Sequence, residues 1–300
     1  MPSFTLFRPP TTIGALCGAL IALASLALGA GLLYKGLTMT VRLAELGPLI
    51  AGPFFIAVAG LYGYWTWGCR SMSYVVDRNA LSIRWGGLRQ IIPLGSIERL
   101  IPAGEAESPR VEGVNWAGHH VGRAQVEDLG EVLFYSTHRS SSDILYVYTP
   151  AQTYAISVQD PVFFAQTVQS NQSRGPVFEQ RQMVHRRGIA AQTFWQDRQA
   201  LLLAGLLIAA FFVVLGYVLE TYPGLSRSVP LRFPALGGIV RVTDKSALLD
   251  IPRSAAGFLA LNLVLAVVLH SWERMVGYVL LFAGITLQAV LLVAAVVAVA

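Results

Sequence analysis

Long unbroken apolar runs at both ends of the chain enclose a middle section in which apolar and polar residues alternate. Ile13 to Leu33, Leu49 to Trp67, Ala200 to Leu219 and Met275 to Val299 each satisfy the length a helix needs to cross a bilayer. Ala255 to Leu269 is shorter and reaches that length with Ile251 to Ser254, Arg253 snorkelling to the interface. The first run is read as an uncleaved span, because it exceeds a signal-peptide core and a second span follows closely. Tyr62, Tyr64, Trp65 and Trp67 close the second span as an aromatic belt. Gly14 and Gly18 could form a helix-packing face.

From Met72 the period changes to two. Tyr74 to Asp77 predicts a strand, Asp77-Arg78-Asn79 a turn, and Leu81 to Trp85 the next strand. Gly86-Gly87 is a two-residue hairpin signal, since both turn positions favour positive φ. Leu88 to Leu94 and Ile97 to Ile101 follow as strands, and Ala103 to Gly130, polar and without a period, reads as a long loop. Glu131 to Thr137, Ile144 to Thr149 and Thr153 to Val158 predict three more strands. Asp160 before Pro161 is an N-cap signal for a helix over Val162 to Ser170. The expected fold class is α+β: a five-helix transmembrane bundle with an inserted antiparallel β-barrel, capped by its C-terminal helix. The expected divisions are a membrane hairpin over 1–68, the β domain over 69–171, a polar connector over 172–199 and a membrane domain over 200–300.

Composition agrees with a membrane location. The 300 residues are 54% hydrophobic and 13% charged, and a mean hydropathy of +0.56 is too high for a soluble globule. The net charge of +5 is not concentrated: between Cys69 and Arg198 stand 13 Arg and 12 Asp or Glu. A nucleic-acid binder would carry a concentrated basic face, so that partner class is excluded. Cys17 and Cys69 lie in or beside spans and read as free thiols. Five spans place the termini on opposite sides. With the β domain cytoplasmic, nine Arg near span ends lie inside against seven Arg or Lys outside, which favours that orientation.

Chemistry-bearing residues are few. His119-His120 suggests a metal, but strand neighbours point to opposite faces and no other ligand stands at suitable spacing, so loop histidines are expected. Ser136 with His138 lacks a nucleophile elbow and a third group. No catalytic residue, metal or cofactor is expected. Asn262 and Gln288, inside the last two spans, are expected to bridge helices. Arg84 and Arg89 carry more information. The Gly86-Gly87 turn places them directly opposite, where like charges repel unless an anion or carboxylate lies between them. With Arg78 and Trp85 nearby, they are the candidate binding residues.

The segments YVVDRNALSIRWGG (74–87), IPL with Ile97, NWAGHHVG (115–122), Tyr135-Ser136-Thr137 and TYAIS (153–157) together resemble the bacterial pleckstrin-homology (PH) domains of membrane proteins, over residues 69 to 170. That resemblance implies scaffolding or the binding of a lipid or protein partner. The Lys and Arg cluster of a phosphoinositide pocket is represented by Arg78 alone. A second resemblance covers 221–252, where Y-P-x-L, V-P-L-x-F, L-G-G and D-K-S are similar to the extracytoplasmic loop of SdpI-like immunity membrane proteins, with Phe233-Pro234-Ala235 standing where polar residues are usual. The expected function is a non-enzymatic membrane scaffold whose PH-like domain binds a protein segment or an anionic lipid headgroup. The alternative is a small transporter or immunity-type protein regulated by that domain.

Overall fold

The computed structural model describes residues 4–38, 40–104, 109–178, 180–233 and 239–299. In chain order the elements are β1 (Thr5–Phe7), α1 (Thr12–Thr38), α2 (Leu46–Arg70), β2 (Ser73–Val76), β3 (Ala80–Trp85), β4 (Leu88–Pro93), β5 (Arg99–Pro102), β6 (Glu112–Trp116), β7 (His119–Val126), β8 (Gly130–Ser136), β9 (Leu145–Tyr148), β10 (Thr153–Ile156) and α3 (Pro161–Ser173). They continue with β11 (Met183–Arg186), α4 (Arg198–Thr221), β12 (Ser228–Phe233), β13 (Ile239–Asp244), α5 (Asp250–His270) and α6 (Arg274–Val299). Five helical segments are long and apolar enough to cross a membrane: 12–38, 43–70, 198–224, 245–270 and 274–299. The chain divides into two units, residues 1–26 with 57–191 and residues 27–56 with 192–300, so α1 and α2 contribute to both.

The first unit contains two sheets, ordered β1-β2-β3-β4-β11 and β5-β9-β10-β8-β7-β6. The alternating residues Tyr74, Val76, Leu81, Ile83 and Ile92 of the first sheet pack with Val147, Tyr154 and Ile156 of the second, and Phe164 and Val168 of α3 join the same core. Burying each large apolar side chain contributes about 1.5–3 kcal/mol. The Tyr74 hydroxyl ties the sheets together, donating to the Tyr135 carbonyl at 2.7 Å and accepting from the Ser157 amide at 3.3 Å. Asp160 caps α3 by accepting from the Phe163 amide at 2.9 Å, as the Asp-Pro pair predicts.

Three expectations are corrected here. The expected barrel is two sheets: no closure between them exists among the described residues, and β10 runs parallel to β8. After β8 the chain passes a turn capped by Ser140 and Asp143. β9 is then laid one strand-width out, and β10 returns into the slot between β9 and β8. The expected loop 103–130 contains the β6–β7 hairpin. Its period is hidden by Gly113 and Gly122, which face each other where a Cβ on Gly122 would lie 2.0 Å from the Glu112 carbonyl oxygen. Finally, both the N-terminal lead and the connector supply edge strands, β1 on β2 and β11 on β4.

The β6–β7 hairpin docks on the long apolar helices of its own unit. The Trp116 indole donates to the Gly14 carbonyl at 2.8 Å and stacks on Tyr62 at 5.5 Å between centroids. A Cβ on Gly14 would lie 2.2 Å from the Gly118 carbonyl oxygen, so only glycine permits this approach. Gly14 and Gly18 are therefore a seat for the β domain as well as a helix face, and part of the aromatic belt is a packed cluster.

In the second unit, α4, α5 and α6 pack through Ala200, Ala204, Leu207, Ala266 and Leu281. Gln288 donates to the Ala255 carbonyl at 2.9 Å and bridges α6 to α5 as expected. Asn262 instead bonds the Phe258 carbonyl within its own helix and is half-buried. Asp197 joins all three helices: it caps α4, accepts from the Tyr278 hydroxyl of α6 and lies 3.3 Å from the buried His270 ring of α5. β12 and β13 form an antiparallel hairpin in the stretch expected as a Pro- and Gly-rich loop. Pro234-Ala235 and the Leu236-Gly237-Gly238 element of the SdpI-like pattern lie outside the described residues.

Candidate anion-binding site

The site is built on the β3–β4 hairpin. Gly86 adopts φ +51° and packs against Trp67 and Gly68 at the end of α2. Gly87 accepts from the Arg187 amide at 2.7 Å, and a Cβ there would sit 2.4 Å from the Arg187 carbonyl oxygen. These two glycines therefore do more than turn the chain: they admit α2 on one side and the connector on the other.

The ladder register places Ser73, Arg84, Arg89 and His185 side by side across β2, β3, β4 and β11. Residues paired in this way share a face of the sheet, so Arg84 faces Arg89 as the turn predicts. Arg84 is exposed. Arg89 is half-buried and donates from Nη2 to Ser82 Oγ at 3.1 Å, while its Nε is buried with no hydrogen-bond partner among the described residues. Burial, then the charges of Arg84 and Arg187, hold the Arg89 pKa below its ordinary value, with Asp77 opposing. Arg84, Gly86, Gly87, Leu88, Arg89, His185 and Arg187 line a cleft of about 240 Å³, and no carboxylate lines it. Planar guanidinium groups so placed can donate in pairs to phosphate or carboxylate oxygens.

Two of the sequence candidates go elsewhere. Trp85 points into the core, 6% exposed, and its indole donates to His119 Nε2 at 2.9 Å. Arg78 donates to the carbonyls of Gly175 and Arg174 at 2.9 and 2.8 Å, satisfying the C-terminal end of α3. His185 and Arg187 carried no readable signal, because a short, fully exposed strand inside a polar stretch has no hydrophobic period.

His119 and His120 lie on strand β7 rather than in a loop, and they face opposite sides as strand neighbours must. His119 meets Trp85 and Trp116, and burial with the neighbouring His120 pushes its pKa down to about 4. Ser136 Oγ lies 2.8 Å from His138 Nδ1, but the serine is fully buried, with no route to a substrate. Among the described residues no group of three or more His, Cys, Asp or Glu could hold a metal.

Residues 72–172 match the bacterial PH domain family. The match covers about a third of the chain and spans β2 through α3. No curated protein and no solved structure matches. PH domains are typically non-catalytic modules that bind lipids or proteins. Arg84 and Arg89 fall inside the matched segment, whereas His185 and Arg187 lie beyond it.

Proposed function

We propose that this chain is a multi-pass integral membrane scaffold without enzymatic activity, whose PH-like domain binds an anionic lipid headgroup between Arg84, Arg89, His185 and Arg187. In this reading the domain is inserted between the second and third spans and faces the cytoplasm. The observation that carries the reading is a cleft ringed by three guanidinium groups, with no lining carboxylate, beside Trp67 at the end of an apolar helix. Like charges gathered at a partly desolvated site cost free energy unless a counter-charge joins them. An aromatic residue closing an apolar span belongs at the level of the lipid headgroups, so the Trp67 contact supports placing the hairpin at that depth.

The test is native mass spectrometry of the full chain released from mild detergent, comparing the unaltered protein with the Arg84→Gln/Arg89→Gln double variant. Bound anionic phospholipid should accompany the unaltered protein and be lost from the variant. An equal lipid complement in both would overturn the reading. A stoichiometric protein that is lost with the same substitutions would transfer the cleft to an acidic partner segment.

A further inference from the structure

The second sheet carries a polar cluster that anion binding does not use. His120 on β7 lies with Nδ1 2.8 Å from the side-chain oxygen of Asn115 on β6, and with Nε2 3.2 Å from the backbone carbonyl of His138. Its ring stacks on that of His138, with centroids 3.9 Å apart and planes at 23°. Both of its nitrogens therefore face oxygen acceptors. The Asn115 amide is oriented by its own Nδ2, which donates to the Val111 carbonyl at 3.3 Å. Turning the amide to offer a donor to His120 would place two carbonyl oxygens together at Val111.

A neutral imidazole has one N–H and one lone pair. It can satisfy one of these acceptors, and the other contact then sets a lone pair against an oxygen. Only the imidazolium donates to both. We propose that His120 is a proton-binding site of the β domain: acidification converts it to an imidazolium held between Asn115 and the His138 carbonyl, drawing the β6–β7 hairpin onto the 137–143 turn. The proton comes from solvent and no other bond changes.

The groups bearing on this site come from each element around it. His138 stacks on the ring and makes a second protonation there unfavourable, so the pair takes up one proton. His119 faces the opposite side of β7 and is kept neutral by burial. Asp143, in the turn, acts on His138. Burial lowers the pKa of His120 while its bond to the His138 carbonyl raises it, which places the transition on the acid side of the ordinary histidine value. The same hairpin carries Trp116, whose indole anchors it to Gly14, so the proton acts on the strand pair that seats the β domain on its helices.

The experiment is a pH titration of the full chain in detergent micelles, with its five histidines labelled at the ring carbon for NMR and His120 identified by His120→Gln. The His120 signal should titrate below pH 6.5. Asn115→Asp, which keeps the shape and adds a carboxylate, should raise the midpoint by about 1–2 units. Asn115→Leu should lower it, and amide protection across 112–126, relative to the intrinsic exchange rate at each pH, should rise below the midpoint in the unaltered protein. A His120 signal that stays neutral to pH 4, an unshifted midpoint in the natively folded Asp variant, or unchanged amide protection would each overturn the proposal.

Discussion

The two units solve the packing problem in opposite ways. In the β sheets of the first unit and the α3 helix packed on them the large side chains are inside: Tyr74, Phe134 and Phe164 are fully buried. In the helices of the second unit Ala200, Ala255, Ala266 and Ala295 are fully buried beside Leu207, Val214, Val218 and Leu281, while Leu202, Val279 and Phe282 are 64–68% exposed. A water-facing domain hides its bulk because burial removes apolar surface from water. Helices apolar enough to cross a membrane have less to gain by that, so small residues share their contacts with a few larger ones and much of the apolar bulk stays on the outside. Hydrophobicity thus separates inside from outside in one unit and is uninformative in the other.

The sharpest break of this comparison is a pair of phenylalanines. Phe134→Ala should cost about 3–5 kcal/mol, and Phe282→Ala should stay within about 0.5 kcal/mol, both measured by thermal unfolding in one detergent; equal losses would erase the distinction. Acid comes next. His119 is neutral when folded, burial pushing its pKa down to about 4 from an ordinary value of 6.5. Its contribution is therefore complete above pH 6.5, declines as pH falls from 6.5 to 4, and is flat below 4, a loss of roughly 2–3 kcal/mol. His119→Phe should make that slope shallower when unfolding is followed from pH 8 to 4, the remainder coming from His120 and His138.

Gly14→Val drives a side chain into the Gly118 backbone and should cost about 1–3 kcal/mol. Its signature is proteolysis of the β6–β7 hairpin in the intact protein. The smallest effect belongs to the second unit. Gln288→Leu should lose about 1 kcal/mol through its bond to Ala255, whereas Asn262→Leu, lacking an interhelical bond, should change the midpoint of unfolding by almost nothing.

The hairpin at Gly86-Gly87, the opposed Arg84 and Arg89, the Asp160 cap and the five apolar helices were all legible in the chain, because each depends on neighbours in sequence. The second half of the cleft was not. His185 and Arg187 reach it through a strand that pairs with β4 some ninety residues away, and no local period announces such a pairing. Trp85 was misread for a related reason: alternation shows that it and Arg84 take opposite faces, but not which face is covered.

Sequence alone thus determined where the chain can enter a bilayer, where it turns to strands and which two arginines must confront each other, since these follow from side-chain period and turn stereochemistry over a few residues. Tertiary structure alone decided the parallel β8–β10 pairing, the glycine-to-glycine seat of the β domain and the burial of the histidines. Each of these is a choice among distant partners, made by packing and by the need to satisfy buried polar groups.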